Sequence, residues 1–225
     1  MSEPHVALLD RLADTIASLH PDRRIRIAID GVDGVGKTML ADALAPLVIG
    51  RGRPAIRASV DDFHNPKSVR YARGKHSPDG FYLDSYDYHA FRRLLLDPLG
   101  RDGSGDYVAR YFDHRSDRRV ETARQQAPPT AALIVDGIFL HRPELQPCWD
   151  LSIFLKAEFG ISVPRGAARD QTPEATDPAS PAYRRYVGGQ RLYLGACEPE
   201  RRANIVIDYN DLQQPQIVKW AVRGA

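Results

Sequence analysis

Cysteine is scarce: Cys148 and Cys197 are the only two in 225 residues. So sparse a set excludes a disulfide scaffold, and its spacing excludes a paired-thiolate zinc site. What remains is two thiols in a reducing cytoplasm. An excess of one charge is also missing. The 31 Lys and Arg residues against 29 Asp and Glu leave a formal net charge of +2. That removes the electrostatic case for a nucleic-acid partner, which needs a strong basic bias. Long apolar runs are absent too. No stretch approaches the ~20 residues that a membrane-spanning helix requires. The segment "HVALLDRLADTIASLH" (5–20) carries Asp10, Arg11 and Asp14 inside its apolar pattern, which excludes a signal peptide. It also lacks the basic face of a membrane-surface helix. No internal repeat is visible.

What is there suits one globular domain with a real core, alone or with a small appended lid. Hydrophobic residues make up 43% and charged residues 27%, an ordinary soluble composition. Val6, Leu9, Leu12, Ala13, Ile16 and Leu19 recur at helical spacing and predict an amphipathic first helix. "RRIRIAID" (23–30) alternates and predicts a strand. "PAIRASV" (54–60), "ALIVDG" (132–137), "WDLSIFLKA" (149–157) and "ANIVIDY" (203–209) predict four more. Helical patterns lie from Lys37 to about Val48 and near 87–96, 160–170 and 213–221. Strands alternating with helices imply an α/β fold, a mainly parallel sheet with helices on both faces. "DPLGRDGSGD" (97–106) is turn chemistry. "QTPEATDPASPA" (171–182) predicts an exposed, mobile loop.

Gly31-Val32-Asp33-Gly34-Val35-Gly36-Lys37-Thr38 matches G-x-x-x-x-G-K-[ST]. Glycines let the chain turn with its N–H groups inward, and the next helix adds its amino-terminal amides. The cradle runs from Gly31 to Met39 at the helix start. Lys37 can meet the outer phosphates, and Thr38 can offer its hydroxyl to Mg²⁺. The motif follows a strand and opens a helix, the context that gives it meaning. A second part is an acid at the end of another buried strand. Asp136, closing "ALIVDG", fits. These two parts serve GTPases, motors and small-molecule kinases alike. No N-K-x-D guanine-reading motif is present, and a motor would bring a longer chain.

A kinase needs a group near the acceptor hydroxyl and cations over the phosphates. "SVDDFH" (59–64) closes the second strand with Asp61 and Asp62, which on a strand would face opposite sides. Arg165 and Arg169, four apart in "ISVPRGAARD" (161–170), would share a helix face as a phosphate clamp. "YRRYVGGQRLY" (183–193) reads as a basic, solvated helix or lid edge. The histidines show no metal-ligand spacing.

The series "VDDF", "FYLDSYD" (81–87), "RYFDHRSDR" (110–118), "IVDGIF" (134–139), "DLSIFLKA", "RGAARD" and "ANIVIDYND" resembles the uridine kinase branch of the phosphoribulokinase/uridine kinase family. The resemblance covers nearly all of 24–211. It implies a P-loop NTPase fold with a lid at about 160–190, and use of ATP with Mg²⁺. Asp61 would act near the acceptor hydroxyl as base or Mg²⁺ partner. Asp84 would bind ribose hydroxyls, and Tyr111 would lie near the nucleobase, with His114 a further candidate for base contact. Asp136 stands where many members carry Glu, and Arg165 and Arg169 match lid arginines. The chain departs from the family in lacking His-Pro after Asp84 and one arginine of the lid motif. The phosphate-transfer parts are better kept than the acceptor-reading parts. The implied reaction is phosphoryl transfer from ATP to a small hydroxyl compound, a pyrimidine nucleoside first, with pantothenate or a sugar or sugar phosphate as alternatives. A nucleotide-driven switch that only hydrolyses is the rival from another class. No nucleic-acid or membrane partner is expected, and a homo-oligomer is left open.

Overall fold

The computed structural model describes residues 2–169, 177–180 and 183–222. The chain opens with α1 (Glu3–Ser18), capped by the Ser2 hydroxyl, which accepts from the His5 amide. Its buried face is Leu8, Leu9, Leu12, Ala13 and Ile16, while Val6 is exposed. β1 (Ile25–Gly31) leads through the glycine-rich loop into α2 (Lys37–Gly50). β2 (Ala55–Ser59) ends in a 3₁₀ turn at Val60–Phe63. Three short helices follow: α3 (Lys67–Arg70), α4 (Pro78–Asp84) and α5 (Tyr88–Phe91), the last continued by a π-turn over Arg92–Leu96. Two small antiparallel pairs come next. β3 (Asp106–Tyr107) pairs with β6 (Gln125–Gln126), and β4 (Phe112–Asp113) pairs with β5 (Arg118–Arg119). β7 (Ala132–Gly137), β8 (Leu151–Lys156), α6 (Phe159–Arg169), α7 (Arg184–Cys197), α8 (Pro199–Arg202), β9 (Ile205–Asp208) and β10 (Gln216–Trp220) complete the described chain.

The main sheet runs β10-β9-β8-β1-β7-β2, with only β10 antiparallel. Its central strands are buried on both faces, as parallel strands under two helical layers must be. Alternation sorts their side chains. Ile25, Ile27, Ile29, Ile134, Ile153 and Ile205 enter the core shared with α1 and α2. Ala28, Leu133, Val135, Phe154 and Val206 enter the other, with Phe81, Phe91 and Tyr193. All five expected strands form, and the first two helices form where their periodicity puts them. Among the described residues no helix is long and apolar enough to cross a membrane.

Two expectations are corrected. Residues 213–221 are not helical: Gln216–Trp220 form the edge strand β10 on β9. Ile217 and Val218 are β-branched, and an open sheet edge outweighs a short helical pattern. The stretch at 183–193 is helical but only partly solvated: Arg184 and Arg191 are exposed, while Arg185, Gln190 and Tyr193 of α7 are buried. The loop expected at 171–182 falls mostly outside the described residues, as does Asp170.

Candidate active site

The site gathers at the carboxyl ends of β1, β7 and β2, where ligands of open α/β sheets bind. The phosphate loop sits between β1 and α2. Gly34 and Gly36 take left-handed backbone at φ 74° and 108°, which side chains resist. Gly34 has a second reason to be glycine. A Cβ there would fall 2.1 Å from the Ser162 carbonyl oxygen, so α6 lies directly on the loop. Val32 and Val35 are buried beneath it, while Met39 is exposed at the start of α2. Lys37 is 8% exposed, and its ammonium donates to the Val32 carbonyl at 2.8 Å. It therefore curls over the loop it belongs to.

Thr38 donates its hydroxyl to Oδ2 of Asp136 at 2.6 Å. Two of the three sequence-predicted metal partners, Thr38 and Asp136, are thus neighbours, while Asp61 bonds Tyr86 instead. A hydroxyl and a carboxylate set together are hard oxygen donors of the kind Mg²⁺ takes. Asp136 is 2% exposed. Its Oδ1 accepts from Arg57 Nη2 at 2.9 Å, a partner that the sequence reading missed. Gly137 follows because Val60 crosses there, and a Cβ would meet Val60 Cγ1 at 2.2 Å. That crossing carries the 3₁₀ turn with Asp61 and Asp62 past the end of β7.

Asp61 and Asp62 therefore stand on a 3₁₀ turn and not on a strand, which corrects the alternation argument. They diverge all the same. Asp61 is exposed, and its Oδ1 accepts from the Tyr86 hydroxyl at 2.8 Å. Asp62 pairs with Arg110 at 3.0 Å. Burial pushes the Asp62 carboxyl above its ordinary value, against the pull of Arg110 and helped by the charges of Asp61 and Asp136. Burial also lowers the His64 imidazole, opposed by Asp61. Tyr86 is pushed well above the ordinary phenol range by burial first and then by Asp61. It stays a hydrogen-bond donor to that carboxylate.

The residues expected on the acceptor side lie around a short backbone pairing. His64 bridges to Tyr86, the Asn65 amide donates to Ser85, and the Asp87 amide donates to Phe63. Asn65 Nδ2 also holds the Asp84 carbonyl at 3.0 Å. The Asp84 carboxylate pairs with Arg73 at 2.9 Å. The His114 ring faces His64 with centroids 4.8 Å apart. Tyr111 is half-buried against Phe63, with Arg119 over its ring at 5.2 Å. It lies on the wall of an open cavity of about 470 Å³ with Arg93, Leu94, Val108 and Val120. No residue of the phosphate loop lines that cavity.

The two arginines expected in a lid part company. Arg169 reaches the loop, with Nη2 3.6 Å from Asp33 Oδ1. Arg165 instead donates to the carbonyls of Tyr209, at 2.8 Å, and Asn210. Asp33 also accepts from the Gly34 amide at 2.9 Å, and its own amide donates to Gln190 Oε1 at 2.6 Å. Gln190 on α7 is buried and carried no sequence signal. Three residues on, Tyr193 donates to Asp30, which is fully buried beneath the loop. Asp30 also lies 2.7 Å from His141 Nδ1 and accepts from the Gly31 amide at 2.7 Å. A helix read as solvated thus braces the phosphate loop at two points.

Many solved structures share this fold. A possible uridine kinase from Bacillus stearothermophilus superposes with a TM-score of 0.70 at 22% identity, covering 89% of this chain and 97% of that one. A candidate fructose transport system kinase from a Silicibacter species gives 0.68 at 22% identity, over 84% and 95%. The fold is the one these P-loop kinases share. Phosphoribulokinase from Rhodobacter sphaeroides follows at 0.58 and 13% identity, over 83% and 70%. No protein-family model matches the chain, and no curated protein matches it in sequence. The α/β sheet and flanking helices expected of the P-loop NTPase fold are thus present.

Proposed function

We propose that the chain is a small-molecule kinase that transfers the γ-phosphoryl of ATP to a hydroxyl. The observation that carries this reading is the 2.6 Å contact between Thr38 and Asp136 at the mouth of a complete phosphate loop. Residues Gly31 to Met39 hold the phosphates, and Lys37 meets their charge. Thr38 and Asp136, with Asp61 as a further partner, would hold Mg²⁺, which supplies charge neutralisation on the phosphate oxygens. Asp61 takes the proton as the acceptor oxygen forms its bond to phosphorus and the bond to the ADP oxygen breaks. The Tyr86 hydroxyl orients that carboxylate. Arg169 stabilises charge on the phosphoryl in flight. Arg165 serves by tying α6 to the 209–210 segment.

The first acceptor to try is the 5′-hydroxyl of uridine or cytidine, with Asp84 toward the ribose diol and Tyr111 and His114 toward the base. Asp84 is acceptor-only when ionised, which suits a vicinal diol. The pairing of Asp84 with Arg73 favours a second reading, an acceptor that itself carries an anion, such as a sugar phosphate or pantothenate. The neighbour named phosphoribulokinase lends that reading support. The test is a panel of these acceptors with ATP and Mg²⁺, read by mass spectrometry of the product. A phosphorylated product identifies the class. Turnover of ATP that no acceptor accelerates would overturn the kinase reading in favour of a hydrolytic switch.

A further inference from the structure

Arg57 stands inside an edge strand of the sheet, yet its head is committed to the phosphate site. Nη1 donates to the carbonyls of Ala58 and Ile134, both at 2.9 Å. Nε and Nη2 hold Asp42 Oδ1 at 3.0 and 2.9 Å. Nη2 reaches Oδ1 of Asp136 at 2.9 Å. The side chain of Asp136 is only 3% exposed, and that of Asp42 is 63% exposed. The buried carboxylate thus spans a guanidinium on one oxygen and the Thr38 hydroxyl on the other.

We propose that Arg57 is a positioning residue for Asp136 that sets how strongly the phosphate loop takes a divalent ion. The inference rests on the reading of residues 31–39 as a nucleotide-phosphate site. Charge and geometry carry it. The Arg57 cation offsets the one buried carboxylate beside Thr38, and burial leaves little solvent to screen the effect. Thr38 and Asp136 alone then make a weak cation site, and the ion is drawn in chiefly by the phosphates of the nucleotide. Asp42, four residues beyond Thr38 on α2, draws on the outer side of the same guanidinium. It offsets part of the Arg57 charge from solvent. The two residues therefore act on the ion in opposite directions.

The experiment titrates Mg²⁺ into the ADP complex of the full chain by calorimetry, with ADP affinity in chelator as the control. Arg57→Gln should tighten Mg²⁺ by about ten-fold or more, the scale on which a charge at this range shifts an ionic equilibrium. Its ADP affinity without metal should stay within roughly two-fold of wild type. Arg57→Lys, which keeps the charge, should stay near wild type in Mg²⁺ affinity. Asp42→Asn, an exposed change that leaves the core alone, should loosen Mg²⁺ by roughly two- to three-fold. A lowered melting temperature with Mg²⁺ affinity unmoved in Arg57→Gln would make Arg57 a structural residue only and overturn the inference. Looser Mg²⁺ in Arg57→Gln would overturn it too. Should Arg57→Gln not fold, Asp42→Asn decides: unmoved or tighter Mg²⁺ ends the proposal. Failure of the wild-type chain to bind ADP would overturn the nucleotide reading and this inference with it. Normal ADP binding with unmoved Mg²⁺ affinity overturns the inference alone.

Discussion

At the scale of single residues, chemistry is decided by what each polar atom touches. Lys37 is buried and holds the carbonyl of Val32 within its own loop, and on the proposed reading its removal takes away the cation that would meet phosphate. Lys37→Ala should keep its melting temperature within a few degrees and lower phosphotransfer on the order of 10³-fold, as for comparable charge stabilisers. Near-normal turnover in the folded variant would remove the loop from its role. Asp61 and Asp62 are adjacent in sequence but face Tyr86 and Arg110 respectively. Asp61→Asn should lower kcat far more than it weakens ATP binding, while Asp62→Asn should be mild in kcat. Steady-state kinetics with equal effects, or the reverse order, would reassign the two.

Asp62 makes a separate prediction about pH. Burial raises its folded carboxyl above the ordinary 3.8. In that window the folded state holds the proton more tightly than the unfolded state. Stability is then lost as pH rises through the raised value. Asp62→Asn removes the ionised group, so it should melt higher than wild type at pH 7. The difference should shrink as the pH falls toward 4. Thermal melts across that range check it, and a variant that melts lower at pH 7 would mean that Arg110 outweighs burial.

At the scale of elements, the phosphate loop is shaped by neighbours that are distant in sequence. α6 presses on Gly34 so closely that a methyl group has no room, and the left-handed backbone adds strain of about 1–3 kcal/mol for any other residue. Gly34→Ala should therefore displace α6, and Arg169 with it. The expected result is a lower melting temperature and at least a ten-fold loss of nucleotide affinity by calorimetry. α7 acts from the other side through Gln190 and Tyr193. Its sequence shows tyrosines and cations in a pattern that fits a solvated helix as well as a buried one. Periodicity reports an apolar stripe, and α7 buries the polar Arg185 and Gln190 among Val187, Tyr193 and Cys197.

At the scale of the whole molecule, two cores flank one sheet, and the one shared with α1 and α2 reaches the glycine-rich loop through Val32 and Val35. α6 covers it, and Arg169 meets Asp33 at its tip. A nucleotide seated in the loop should stiffen both braces. Hydrogen exchange over 159–169 and 184–197 should slow when a non-hydrolysable ATP analogue binds with Mg²⁺. Unchanged exchange in both segments would uncouple α6 and α7 from the loop.

The sequence by itself determined the parallel sheet and the phosphate loop. Continuous apolar runs such as "ALIVDG" have few other homes, and a glycine turn ahead of Lys37-Thr38 is a local signal complete within eight residues. Asp136 was legible for the same reason, since a buried strand ending in an acid points it at the strand terminus. Only the tertiary structure decided which groups serve that acid and that loop. Arg57 lies 79 positions from Asp136, Gln190 lies 157 from Asp33, and Tyr86 lies 25 from Asp61. It also separated Arg165 from Arg169, which helical spacing had paired, because the carbonyls of Tyr209 and Asn210 claim the first. Local pattern fixes where a strand or turn can form. Hydrogen-bond partners of buried polar atoms are chosen by whatever the folded chain brings within about 3 Å, and one chain's own spacing does not encode that.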